Sequence, residues 1–466
     1  MARALLWVPL IVYLLLPTRN YYWDGVGMAV DIEKHAPLSA LLYPSHLIYA
    51  LCGSWLYRAA ITIGIKTRAL YLMQGANSLL GGLCVPLVYR MLRRAGVVVT
   101  SSVAGALLFA FSATWWKFAT DANAYLPSIF FLLCAYALVE DGRVIPAAIA
   151  HAIAMLFHEL AIVFLPVAWI MLRDRRRVEY AAAAIAPVIA VYAIAYRMVF
   201  GEISGRGLLG WATVQSVPHA GHFSFNALRN AGLSVRGTLR LVFGGRLSDV
   251  TTDVISKLAL AGLVISAVVL IAALRRGVRA EKPAFPRAWL MWIGCYVAFL
   301  FLWIPENTFY RLYYLPPLIA LAVVFIRPLA AALLVPVLFF SNLAFLIEPQ
   351  SRPEKNAPLQ FALSQRGRWT PGTPILFSRF YPDLWTICYF SPGTSWISME
   401  QTDIPALDRA LEYAHSQQTP LWLDAQAYQM IAANAEGRRW LSEHERPAER
   451  IESTDSRHDF RFYGAR

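Results

Sequence analysis

The stretch NYYWDGVGMAVDIEKH concentrates Asp24, Asp31, Glu33 and His35 between two apolar parts of the chain. Asp24 and Asp31 are seven residues apart, which on a helix means two turns, one face and about 10 Å along the axis. Tyr21, Tyr22 and Trp23 precede them, and such rings collect where a membrane meets water. A carboxylate held there suits general-base work on the hydroxyl of a sugar or a lipid. The competing reading is a set of solvated loop acids inside an aromatic belt.

Composition identifies the elements that must position these acids. Of 466 residues, 58% are hydrophobic and 15% charged, against roughly 45–50% and 25% in ordinary soluble chains. One globular core cannot hide that surplus, so lipid is the solvent for most of the chain. A soluble enzyme, a disordered protein and a nucleic-acid binder are excluded, even at a net charge of +13. From Glu348 onward there are 13 basic and 15 acidic residues, which leaves 29 basic and 14 acidic before it. The positive excess therefore belongs to the membrane part, where loop Lys and Arg set orientation and meet anionic lipid.

Apolar runs mark candidate spans from Ala4–Leu16 to Leu329–Ile347. Basic clusters stand at Arg90, Arg93 and Arg94, at Arg173, Arg175, Arg176 and Arg177, and at Arg275, Arg276, Arg279 and Lys282. Placing these clusters inside predicts about eleven transmembrane helices, with the first helix retained and the tail outside. That scheme needs the Val144–Leu172 run to be a short hairpin turning at His158-Glu159. Residues 18–68 form a first outer loop, in which Pro44–Ile65 reads as a helix lying in the interface. A long outer loop, residues 201–257, contains FNALRNAGLSVRGTLRLVFGGRL, whose Arg229, Arg236 and Arg240 recur near helical spacing and give an interfacial helix a basic face. Residues 1–347 are thus expected to form a polytopic membrane domain. Residues 348–466 have soluble composition, with extended runs PILFSRFY, TSWISM, PLWLD and FRFYG around a helical stretch from Ile404 that Asp403 would cap. A small extracytoplasmic α/β domain is expected there.

This order of features resembles the GT-C class of integral-membrane glycosyltransferases, especially the branch containing protein O-mannosyltransferases and the aminoarabinose transferase of lipid A. The stretches that carry the resemblance are YYWDG, PLSALLYPSHLIYALCGSWLYR, ANSLLGGLCVPLVYRMLRR and WIPENTFYRLYYLPPL. The Asp-Glu pair common in that branch stands here as Asp24-Gly25, which makes Asp31 or Glu33 the substitute second acid. The resemblance implies an inverting hexosyl- or pentosyltransferase of the inner membrane. It would move sugar from a polyprenyl-phosphate donor to a lipid, glycan or protein acceptor on the outer side. The leaving group is then a lipid phosphate, which needs cations over its oxygens. Arg311 suits that role because guanidinium grips phosphate bidentately, with Arg236 and Arg240 as further phosphate-binding candidates and Glu306 as a possible orienter of Arg311. The alternative for Arg311 is an interfacial anchor among tyrosines. His46, Lys117, Asp121, His158 and Glu159 are the remaining substrate-binding candidates. Their structural alternatives are a helix-end histidine, an ion pair or helix cap at Lys117 and Asp121, and a satisfied turn at His158-Glu159.

No cofactor is expected. The five cysteines are scattered, and His219 and His222 in HAGH have no third ligand nearby, so neither a metal centre nor a disulfide framework is expected. Walker A and HExxH motifs are missing from the sequence. A transporter or flippase would place ionisable groups near the midplane of repeated halves, whereas these acids crowd one edge. A non-catalytic assembly scaffold would leave the Asp24 loop without a task.

Overall fold

The computed structural model describes residues 2–213, 223–274, 285–378, 382–454 and 459–466. They fall into two compact units, Met1–Thr18 with Met28–Ser351 and Arg19–Gly27 with Arg352–Arg466. The helix Trp23–Glu33 therefore contributes its first turn to the second unit and the rest to the first.

The first unit is helical. Among the described residues, Ala69–Arg94, Arg175–Phe200, Val254–Ala272 and Pro328–Ser351 are long and apolar enough to cross a bilayer. Val99–Ala110 and Ala113–Ala119 form a further candidate bent by 63°, and the shorter apolar helices run 10–17 residues. A helix occupies each apolar run read from the sequence. The run Val144–Leu172 is broken: its first helix stops at Phe157, and His158 is extended, with φ −159° and ψ 128°. The 3-10 turn Glu159–Phe164 then folds back, and His151 Nε2 meets the Ala161 carbonyl at 2.8 Å.

One face of the Ala69–Arg94 helix carries Gln74, Asn77, Ser78 and Gly81, spaced as neighbours on a helix. These buried groups serve the loop that leads into Tyr125–Glu140. Gln74 donates to the Thr18 and Thr120 carbonyls at 3.0 and 3.1 Å, and Asn77 donates to those of Asp121 and Asn123 at 2.8 Å each. Ser78 donates to Ala119 O at 2.9 Å. Gly81 lets the two backbones approach, since a Cβ there would lie 2.8 Å from that of Ala119. Backbone carbonyls away from water need such partners, which is why an apolar helix spends a stripe on amides and a hydroxyl.

The second unit holds a five-stranded sheet in the order β2-β1-β3-β5-β4, with β1 Pro374–Phe377, β2 Ser395–Ser398, β3 Leu421–Asp424, β4 Glu445–Thr454 and β5 Asp459–Ala465. β1 pairs in parallel with β2 and β3, while β5 runs antiparallel to β3 and β4. β1 and β3 are buried at every position, as expected for short apolar strands covered on both faces. The helix Ile404–Ser416 packs Leu407, Leu411 and Ala414 into the core beside Leu376 and Leu423. Asp403 caps it, accepting from the Ala406 amide at 3.1 Å.

Candidate functional site

Arg311 is 1% exposed and lies in the 3-10 turn Tyr310–Tyr314, which Asn307 starts by accepting the Tyr310 amide at 2.9 Å. Its Nη1 donates to Tyr314 Oη at 2.5 Å and to Thr238 Oγ1 at 3.3 Å, and its Nη2 donates to the Pro305 carbonyl. Nε has no partner among the described residues. Every one of these acceptors is neutral. A charged group taken out of water is costly until an opposite charge joins it, and the pocket that holds Arg311 supplies none among these partners.

The other wall of that pocket is the helix Ala227–Val242, capped by Asn226, whose Oδ1 accepts the Arg229 amide at 3.0 Å. Asn342 fixes its far end: Nδ2 donates to Phe111 O and Val242 O at 2.8 Å each, and Oδ1 accepts from the Gly244 amide at 3.0 Å. The helix meets Arg311 through Gly237 and Thr238. A Cβ on residue 237 would stand 2.6 Å from Arg311 Nε and 3.1 Å from Cζ, so glycine is what admits the guanidinium. The side chains of Arg236 and Arg240 lie on the exposed face of the same helix, with Arg229. Glu306 is exposed as well, and Pro305 O, rather than the Glu306 carboxylate, takes the bond from Nη2.

His46 and His158, far apart in sequence, come together with ring centroids 4.8 Å apart. Tyr125 lies 4.7 Å from His158 and 6.0 Å from His46, and Tyr310 and Tyr313 lie 5.8 and 5.7 Å from His158. The Leu160 amide donates to His158 Nδ1 at 3.1 Å. In the neutral ring the proton therefore sits on Nε2, which makes that atom a donor. Tyr310 also stacks on Trp303, at 5.3 Å and 16°. Trp303 in turn lines a cavity of about 690 Å³ with Leu160, Val188, Tyr192, Leu209 and Phe299, where Glu159 is the one carboxylate among the described residues. Cation, aromatic rings and apolar cavity thus share the segment from Trp303 to Arg311.

Lys117 is half-buried, 6.0 Å from the Phe118 ring centroid. Asp121 is fully buried, its carboxylate accepting the Ala122 amide at 2.8 Å. Glu33 pairs with Arg68 at 2.8 Å and accepts the Ala69 amide at 2.7 Å, so it starts the Ala69–Arg94 helix. Asp31 accepts a hydrogen bond from Tyr43 Oη. Burial pushes its carboxyl above the usual range, and the Tyr43 bond partly opposes the shift. Asp24 is half-buried in the first turn of its helix and belongs to the second unit. His219 and His222 lie outside the described residues. Among the described residues no group of three His, Cys, Asp or Glu side chains has the spacing to hold a metal ion.

Sequence reasoning missed Tyr125, Thr238 and Gly237. The last had a signal, because glycine inside a helical pattern costs about 1 kcal/mol against alanine and marks a close approach.

No family model matches the chain, and no curated protein matches it in sequence. Solved structures do match. ArnT from Cupriavidus metallidurans bound to undecaprenyl phosphate aligns over 99% of this chain and 97% of its own, with a TM-score of 0.60 and 11% identity. The apo state of the same protein covers 100% and 97%, with a TM-score of 0.49 and 13% identity. The oligosaccharyltransferase of Archaeoglobus fulgidus, in complex with zinc and sulfate, covers 98% of this chain and 72% of its own, with a TM-score of 0.48 and 12% identity. At a TM-score of 0.60 over nearly the whole of both chains, the fold of this chain is that of the ArnT structure, a GT-C fold as the sequence resemblance implies.

Proposed function

We propose that this protein is an inverting GT-C glycosyltransferase of the inner membrane that takes a hexose or pentose from a polyprenyl-phosphate donor. The acceptor is a lipid, a glycan or a protein on the extracytoplasmic side. The observation that carries the reading is Arg311, a buried guanidinium with neutral partners and an unpartnered Nε. It is joined through Tyr310 and Trp303 to an apolar cavity. A polyprenyl phosphate has that same pairing of an anionic head and a hydrocarbon tail, and undecaprenyl phosphate is the ligand of the ArnT structure that shares the fold.

In this reaction the acceptor oxygen attacks the anomeric carbon while the bond from that carbon to the phosphate oxygen breaks. The acceptor proton passes to a carboxylate, for which Asp24 is the proposed base, with Asp31 as the substitute. The electron pair leaves with the polyprenyl phosphate, whose growing charge Arg311 stabilises. No cofactor takes part in the scheme. His46 and His158 are proposed to contact the sugar, Nε2 of His158 as donor, beside Tyr125 and Tyr310. Lys117, Asp121, Glu159 and Glu306 are further substrate contacts, and Arg236 and Arg240 attract the anionic headgroup. The proposed topology has about eleven spans, with residues 348–466 outside as an α/β domain.

Binding of undecaprenyl phosphate to the purified full chain in nanodiscs tests the reading. Wild type should bind, Arg311→Lys should bind more weakly because it loses the planar fork, and Arg311→Ala should lose on the order of 30-fold or more, from 2–5 kcal/mol for a truncated buried charge contact. Equal affinity in Arg311→Ala reduces Arg311 to an anchor. Failure of wild type to bind the lipid removes the polyprenyl-phosphate reading altogether.

A further inference from the structure

The loop that carries Asp24 is built into the same compact unit as the C-terminal residues. Arg19–Gly27 clusters with Arg352–Arg466, and contacts with Asn356, Phe390 and Trp385 help to hold it there. Asn356 is 5% exposed, and its Nδ2 donates to the Arg19 carbonyl at 2.5 Å. Tyr21 stacks on Phe390 with ring centroids 5.4 Å apart and planes 26° from parallel. Gly27 lies against the indole of Trp385, where a Cβ would be 3.6–3.7 Å from three ring atoms. Gly27 follows Asp24 by three residues in the helix Trp23–Glu33, and residues three apart share a face. The indole therefore bears on the face from which Asp24 projects.

We infer that Asn356, Trp385 and Phe390 are positioning residues for Asp24, so that the C-terminal unit sets the geometry of the base. The inference rests on the reading of Asp24 as the base of a transferase. Its physical content is distance tolerance: a misplacement of about 1 Å at a reacting group costs on the order of 100-fold in rate. Asn356 is suited to this task because its two ends do different work. Oδ1 accepts the Leu359 amide at 3.0 Å and caps the helix Ala357–Ser364, while Nδ2 reaches the loop.

Asn356→Ser separates the two ends. Serine still caps the helix, so the unit stays folded, but it has no group to reach Arg19 O. Trp385→Ala removes the support under Gly27, and Trp385→Phe restores much of it. Amide hydrogen exchange on the full-length protein in nanodiscs, which needs no substrate, is expected to accelerate tenfold or more at residues 21–27 in Asn356→Ser and Trp385→Ala. Exchange at residues 404–416 should stay unchanged, and Trp385→Phe should recover protection. Transfer from a polyprenyl-phosphate hexose or pentose donor is expected to fall at least tenfold in kcat with KM unchanged. On an Asp24→Asn background, Trp385→Ala should add no further loss, since a positioned group that is already absent has no geometry to lose. Unchanged exchange at residues 21–27 overturns the inference whatever the activity shows. So do additive losses in the double variant, which would mark a general structural role. Full turnover by Asp24→Asn instead overturns the assignment of the base, an outcome read from a different variant.

Discussion

Gly237→Ala is the sharpest perturbation available, because its local and tertiary effects have opposite signs. Alanine in the interior of the Ala227–Val242 helix gains about 1 kcal/mol over glycine in helix propensity. The added Cβ, however, would stand 2.6 Å from Arg311 Nε and 3.1 Å from Nη2. Ordinary contact needs roughly 0.8–1 Å more, if carbon and nitrogen approach to about 3.5 Å. The guanidinium cannot yield that distance freely, since its bonds to Tyr314 Oη, Thr238 Oγ1 and Pro305 O hold it in place. It must break at least one of these bonds, and a hydrogen bond to a charged group contributes about 1.5–3 kcal/mol. A gain of about 1 kcal/mol against a loss of about 1.5–3 kcal/mol gives a thermal midpoint slightly below wild type. Undecaprenyl-phosphate affinity should fall about 10- to 100-fold, at 1.4 kcal/mol per tenfold. Titration of the lipid into nanodisc-embedded protein and a melting curve on the same sample read the two effects together. Wild-type affinity in Gly237→Ala would refute the reasoning, because it would mean that the position of the guanidinium does not matter to the ligand.

Asp24→Asn should lower single-turnover transfer about 10²–10⁴-fold while lipid binding is retained, as expected for loss of a positioned base; if transfer persists, Asp31→Asn is the next variant to assay. Asp31 has a distinct signature in pH. Its folded carboxyl is raised by burial, so the native state holds the proton to higher pH than the unfolded chain, and this group costs stability as pH rises through the folded value. Stability followed by denaturant from pH 4 to 8 should therefore lose a declining component in Asp31→Asn, and an identical pH profile would mean that burial of the carboxylate is not costly. For topology, Arg175, whose side chain is 91% exposed, should resist impermeant thiol labelling from outside when replaced by cysteine in an otherwise cysteine-free chain in intact cells. Labelling there would overturn the eleven-helix scheme and favour a single span over the Val144–Leu172 run.

What the sequence determined by itself was what depends on neighbours along the chain. Among the described residues, the long apolar runs before residue 348 became helices, because a backbone in lipid has no cheaper way to satisfy its polar groups. The break at His158 was legible from two ionisable residues inside such a run. The strands PILF and LWLD and the Asp403 cap were legible for the same reason, since burial pattern and capping act within a few residues. Strand β4, HERPAERIEST in its sequence context, was not read, because a charged edge strand takes its conformation from pairing with β5 rather than from its own pattern. Only the tertiary structure decided which polar groups meet. Glu33 was legible as an acid in the right loop, yet Arg68 and the Ala69 amide take it up. Arg311 was legible as a cation, but its burial depends on a glycine in a separate helix. His46 needed the chain reversal after Phe157 to find His158, and the Asp24 loop found its support in Asn356 and Trp385, at the other end of the chain. Such pairings carry no periodic signal, because they are fixed by how side-chain volumes and unsatisfied polar groups fit once the helices and the sheet have packed.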